Sequence, residues 1–141
     1  MGKKLIFDTE YAYTYEVPEL KLVEIHWKDA KINSEAYRKT FEDAFEYVVN
    51  NNIELWHFLS DTTDQNIISP EDRKWFQNTM VPKVDEYGLK KAVVLSRGGD
   101  PFKKYYLNMI LRWINRNMNM RMKVFNSEEK AYEWFKESFK K

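Results

Sequence analysis

The chain opens on alternation and then settles into a helical period. Residues 11–15 read Tyr-Ala-Tyr-Thr-Tyr, which puts Tyr11, Tyr13 and Tyr15 on one face at a period of two and predicts a strand with an aromatic side. Val17-Pro18-Glu19-Leu20 follows as a turn with Pro18 fixing its bend, and Leu20 to Trp27 predicts the antiparallel partner of a hairpin. From Asn33 the period changes. Tyr37, Phe41, Ala44, Phe45 and Val48 recur at three- and four-residue intervals, a core-facing helical stripe that ends at Asn50-Asn51-Asn52.

The second half repeats a strand-then-helix rhythm. Leu55 to Leu59 is an apolar run of strand length, followed by a polar loop. Ser69-Pro70-Glu71-Asp72 then opens a helix, with Ser69 as cap, Pro70 at the first helical position and two acids at the positive dipole end. Trp75, Phe76 and Met80 carry its apolar side. Pro82 kinks or divides it, and Gly88 stops it. Ala92 to Leu95 predicts a strand buried on both faces. Asp100-Pro101 repeats the cap-then-proline signal, and Phe102, Tyr105, Tyr106, Met109, Ile110, Trp113 and Ile114 form a stripe predicted to face the core. Met122 to Phe125 predicts a last strand. Asn126 with Glu129 suggests a capping box for a final helix through Phe139.

The predicted order is β-β-α-β-α-β-α-β-α, an α/β fold with a mixed sheet, parallel in its later part and flanked by helices. No linker, repeat or low-complexity tract divides residues 1–141, so one domain is expected. In this order the chain resembles the STAS fold, and more narrowly the divergent SpoIIAA-like small proteins of bacteria. The residues that carry the resemblance are Ile25-His26-Trp27, Ser34-Glu35-Ala36-Tyr37-Arg38, Leu55-Trp56-His57-Phe58-Leu59-Ser60-Asp61, Trp75 and Ala92-Val93-Val94-Leu95. The resemblance implies a non-catalytic regulatory domain that binds a ligand or a protein. Antagonist-type STAS proteins carry a phosphorylated Asp-Ser pair where the central strand meets the next helix. This chain has Asp61-Thr62-Thr63-Asp64-Gln65-Asn66-Ile67-Ile68-Ser69 there, without the motif, and Ser69 at the helix entrance is the candidate phosphoacceptor.

Composition narrows the chemistry. With 0 Cys there is no disulfide framework, thiol nucleophile or Cys-based metal site, and 2 His leave little for a His-rich centre. No catalytic residue, metal site or cofactor is assigned. No apolar run approaches a membrane span and the start lacks a signal peptide, so a cytoplasmic location is expected. Net charge is +1, but residues 1–88 hold 10 basic and 17 acidic side chains, while residues 89–124 hold 9 basic and one acidic. The expectation is that these stretches face each other, within one chain or across a homodimer, and that no nucleic acid binds.

Ligands of open α/β sheets sit at the carboxyl ends of the parallel strands. There the candidate ligand-binding residues are Asp61, Thr62, Thr63 and Asp64 after one strand and Ser96, Arg97, Gly98 and Gly99 after the next. Glycine backbone, an arginine fork and a helix dipole suit a phosphate or carboxylate, though Asp100 at the cap opposes an anion and no P-loop or dinucleotide fingerprint is present. The rival to a regulatory domain is therefore a small enzyme or phosphate-ester binder using these loops. Asp61 and Asp64 suit Mg²⁺, but strand-end aspartates more often cap their own loop, and that is the preferred reading. His26 and His57 read as half-buried strand histidines bonded to neighbours, with no nucleophile beside either. Met118, Met120 and Met122 read either as core filler or as an adaptable partner surface.

Overall fold

In the computed structural model, residues 2–98 and 100–140 are described. Six strands form one sheet: β1 (Lys4–Asp8), β2 (Ala12–Val17), β3 (Leu22–Trp27), β4 (His57–Asp61), β5 (Lys91–Leu95) and β6 (Arg121–Phe125). Their spatial order is their chain order. β1, β2 and β3 pair antiparallel, and β3 to β6 run parallel. The mixed sheet with flanking helices is as the pattern predicts, but β1 precedes the predicted hairpin. Its register shifts between Leu5 and Phe7. The shift breaks the alternation by which an edge strand announces itself.

Sequential order with parallel strands has a strong consequence. Successive right-handed crossovers that advance in one direction leave all their helices on the same face. α1 (Ser34–Asn50), α2 (Pro70–Trp75), α3 (Val81–Glu86) and α4 (Pro101–Asn117) accordingly share one layer, and the core between it and the sheet includes Val23, Ile25, Trp27, Tyr37, Phe41, Val48, Ala92 and Ile110. The other face is covered by α5 (Glu128–Lys136), whose Ala131, Trp134 and Phe135 pack on Leu22, Leu59, Val93 and Leu95. Phe135 and Leu59 are wholly buried, each contributing roughly 1.5–3 kcal/mol.

The helix ends follow from side-chain caps. Asn33, Ser69 and Asp100 accept from the backbone N–H groups of Ala36, Asp72 and Phe102. α5 is capped by Ser127, which accepts from Lys130, and not by Asn126 as the capping-box pattern suggests; it ends at Lys136, followed by a single 3₁₀ turn over Glu137–Phe139. A π-helical segment, Phe76–Met80, joins α2 to α3 and ends one residue short of Pro82, in the first turn of α3. Proline has no N–H for the α-helical ladder, so the backbone changes its bonding there. Gly88, at φ +103°, ends α3, where a side chain would strain the backbone.

One prediction fails in an informative way. Of the α4 stripe only Ile110 and Ile114 are buried, and Leu107 joins them. Phe102 is 86% exposed, Tyr105 66% and Met109 49%. Helical period alone cannot tell a core from the lip of an opening, and these residues border one.

The charge asymmetry also resolves. Because strand order follows chain order, the acidic first part supplies β1 to β4 and the basic third part β5 and β6, and the two adjoin along β4 and β5. Among the described residues only Arg97–Asp61 joins the two as a contact ion pair, while Asp61 and Asp64 act on Lys103 at longer range.

Candidate functional site

Two places concentrate chemistry, one on each face of the sheet. On the helix-layer side a cavity of about 540 Å³ lies between the sheet and α1 to α4. Its walls are apolar: Phe41, Phe58, Phe76, Met80, Ala92, Val94, Ile110 and Met120 line it, with Trp56 toward the amino end of β4 and Thr62 beyond its carboxyl end. Trp56 and Thr62 are six residues apart, about 20 Å at ~3.3 Å per residue. Ile67, 90% exposed, Phe102 and Tyr105 belong to the lining as well as to the surface, which marks the side on which the cavity opens.

Its shape follows from the local structure described above. The π-helical segment puts Phe76 and Met80 on the wall, and in the first two turns of α4 Phe102 and Tyr105 stay exposed while Tyr106 and Leu107 pack on the core. Met120 and Met122, almost fully buried, also line it, so these methionines serve as flexible wall and not as outer surface. The Trp56 side chain is buried, and its Nε1 has no hydrogen-bond partner among the described residues. An interior void of this volume would cost about 13 kcal/mol if it were merely defective packing, at ~24 cal/mol per Å³. That equals the whole stability of an ordinary domain. The space is an opening and not a fault in the core.

The α5 face carries a polar cluster that grows from alternation in β3. Leu22, Glu24 and His26 share a face, so a carboxylate and an imidazole stand in the middle of the sheet. Glu24 is wholly buried. Its Oε1 accepts from Lys3 Nζ (3.0 Å) and His26 Nε2 (2.8 Å), and its Oε2 accepts from the Tyr132 hydroxyl. Burial alone would raise the Glu24 pKa, but His26, Tyr132 and Lys3 together hold it lower. His26 Nδ1 meets Asp61 Oδ2 at 3.2 Å. With a carboxylate at each ring nitrogen, both must donate. Burial opposes the charged ring, yet the bonds to Asp61 and Glu24 win and raise the His26 pKa to about 9.

That assignment limits the chemistry. An imidazolium held between two carboxylates is not a general base at neutral pH. The donors that best approach a metal set are Glu24, His26 and Glu128, with ligand atoms within 4.8 Å of one another. The Lys3 ammonium already lies against both carboxylates, at 3.0 and 2.8 Å, and His26 is protonated. The cluster is a closed ion-pair lattice joining β3, β4, α5 and the start of the chain. His57 is different: wholly buried and stacked on Phe135, it donates from Nδ1 to the Leu20 carbonyl and accepts at Nε2 from Ser138. Burial pushes its pKa down to about 4, so it is neutral.

The loop residues singled out from sequence divide between these places. Asp61 belongs to the ion-pair lattice, and its Oδ1 accepts from the Thr63 N–H, which closes its own loop. Arg97 reaches Asp61 at 3.3 Å and Thr63 at 3.4 Å. Thr62 turns the other way, lines the cavity and donates to the Leu95 carbonyl. Asp64 is exposed, Ser96 is half-buried and bonds through its backbone to Phe125, and Gly98 is exposed with open space around it. Gly99 lies outside the described residues. Ser69 caps α2, accepting from the Asp72 N–H. Sequence reasoning missed Glu24, Lys3, Glu128 and Tyr132, and with them the cavity. A carboxylate between Val23 and Ile25 in a central strand was the available signal.

No protein-family model matches the sequence, and no curated protein does. In structure the chain is similar to the crystal structure of an uncharacterized protein of the DUF3478 family, with a SpoIIAA-like fold, from Shewanella loihica PV-4. The match has a TM-score of 0.60 over 95% of this chain and 92% of that one, at 13% identity. This chain has a SpoIIAA-like fold. At that identity the likeness carries the arrangement of elements, which agrees with the family likeness drawn from the sequence. Among the described residues no helix is long and apolar enough to cross a membrane.

Proposed function

We propose that this SpoIIAA-like domain is a non-catalytic binding domain whose ligand is an apolar small molecule held between the sheet and the α1–α4 layer. The observation that carries the reading is the cavity of about 540 Å³, walled by aromatic and aliphatic side chains and opening beside the exposed Ile67, Phe102 and Tyr105. Its volume lies in the ordinary range of small-molecule sites, as does its apolar lining with few polar groups. The polar cluster on the opposite face supports the non-catalytic part. Its histidine is committed to two carboxylates, and Arg97, the fork proposed for an anion at the strand ends, is engaged by Asp61 and Thr63.

The test uses a neutral apolar fluorophore, N-phenyl-1-naphthylamine. Saturable binding at one site per chain is expected, and Ala92→Phe, which adds a ring to the wall, should abolish it while thermal unfolding stays cooperative. A probe that binds without saturation, or equally well to the variant, would contradict the reading.

A further inference from the structure

Among the described residues, three charged ones line the cavity: Arg73, Asp100 and Lys103. Asp100 is exposed, and its carboxylate is used to cap its own helix at Phe102. The two cations have no carboxylate partner within ion-pair distance among the described residues, in a chain with 22 acidic side chains. Each instead donates to one end of the same loop. Lys103 Nζ donates to the Thr62 carbonyl, and Arg73 Nε donates to the Ile68 carbonyl at 3.1 Å. Both are half-buried, and the Arg73 guanidinium lies over the Tyr106 ring at 5.1 Å. Those contacts use one donor of Lys103 and one of Arg73. An ammonium has three donors and a guanidinium five, so most of their capacity is uncommitted.

Burial holds the Lys103 pKa down, outweighing Asp100, Asp61 and Asp64, which act on it from beyond ion-pair distance. Two half-buried cations without a contacting carboxylate on one apolar cavity call for an anion. We propose that the ligand is a single-chain amphiphile with an anionic head: the tail occupies the apolar cavity and the head meets Lys103 and Arg73 where the loop over residues 62–68 faces α4. The inference rests on the apolar-ligand reading above and adds the head group. It also moves the anion from the Arg97 turn to the cavity lip. Length agrees, since the ~20 Å between Trp56 and Thr62 holds an extended twelve-carbon chain with room to spare.

The experiment measures displacement of N-phenyl-1-naphthylamine by laurate, dodecyl phosphate and methyl laurate, each below its micelle concentration. The proteins are wild type and the Lys103→Gln/Arg73→Gln double variant. Glutamine keeps a donor for the Thr62 and Ile68 carbonyls while removing both charges and, at Arg73, the contact over Tyr106. Wild type should prefer an anion over the ester by about tenfold or more, as charge-assisted bonds give, with the advantage shrinking at high salt. The double variant should lose that preference and keep its affinity for methyl laurate. Whether laurate or dodecyl phosphate binds tighter tells a carboxylate head from a phosphate one.

Equal wild-type affinity for acid and ester overturns the head-group inference and leaves the apolar reading standing. So does a preference that survives in the double variant. Failure of the neutral probe itself to bind ends both. Should the double variant not fold, the bound acid still reports. The carboxyl of ¹³C-labelled laurate should titrate below its free pKa beside two cations, and above it if it is buried without them.

Discussion

Replacing His26 with Gln removes the cation from the centre of the α5-face lattice, and its cost should depend on pH in a calculable way. The imidazole pKa rises from 6.5 to about 9 in the fold, because Asp61 and Glu24 at its two nitrogens outweigh burial. Its side chain is 20% exposed, so solvent screens the pairs only partly. A folded pKa above the unfolded one means that the folded state holds the proton more tightly. The stabilisation is fully present below pH 6.5 and is lost as pH rises through 9. The difference between the two pKa values corresponds to about 3 kcal/mol. Urea denaturation of wild type and His26→Gln from pH 6 to pH 10 isolates this contribution, since groups common to both cancel. The variant should be destabilised by about 3 kcal/mol more at pH 6 than at pH 10. A penalty constant across that range, within the ~10–15% error of extrapolation, would refute the assignment of a charged His26.

Other parts of the structure make separate claims. His57 has the opposite sign: its folded pKa is down at about 4, so its contribution is present above pH 6.5 and is lost as pH falls through 4, and His57→Leu should flatten the acid limb of the stability curve measured by circular dichroism. Asp72, nearly buried, accepts from Ser34 at 2.9 Å and Arg38 at 3.2 Å and so ties α2 to α1; Asp72→Ala should cost about 2–4 kcal/mol by denaturant unfolding, more than the ~1 kcal/mol expected of an exposed pair. Trp56→Phe removes a buried donor that has no partner, so it should change stability by less than about 1 kcal/mol, where truncation to Ala should cost about 3–5.

What the sequence disclosed and what it hid have the same physical root. Period-two and period-3.6 patterns record which side of an element is buried, so α1, β5 and the hairpin of β2 and β3 were legible, and with them the mixed sheet. β1 was not, because its bulge lets Ile6 and Phe7 be half-buried side by side. Phe102, Tyr105 and Met109 kept helical spacing yet face a cavity mouth, and periodicity registers apolar character without registering what fills the space opposite. Asp61 was picked out for its place at a strand end. Its side-chain partners come from β3 and the loop after β5, and contacts 35 and 36 residues apart leave no local trace. Glu24 was the one visible irregularity: a charge in a central strand between buried Val23 and Ile25, which has to be answered by partners from elsewhere.

The central claim is that an apolar molecule occupies the space between the sheet and the α1–α4 layer. Isotope-filtered NOE spectroscopy of the protein with N-phenyl-1-naphthylamine tests it directly, because the two faces carry different methyl groups. The account predicts contacts from the probe to Met80, Ala92, Val94 and Ile110, and none to Leu22, Leu59 or Ala131 under α5. Contacts confined to exposed residues such as Leu5 and Val49, or to the α5 face, would contradict it.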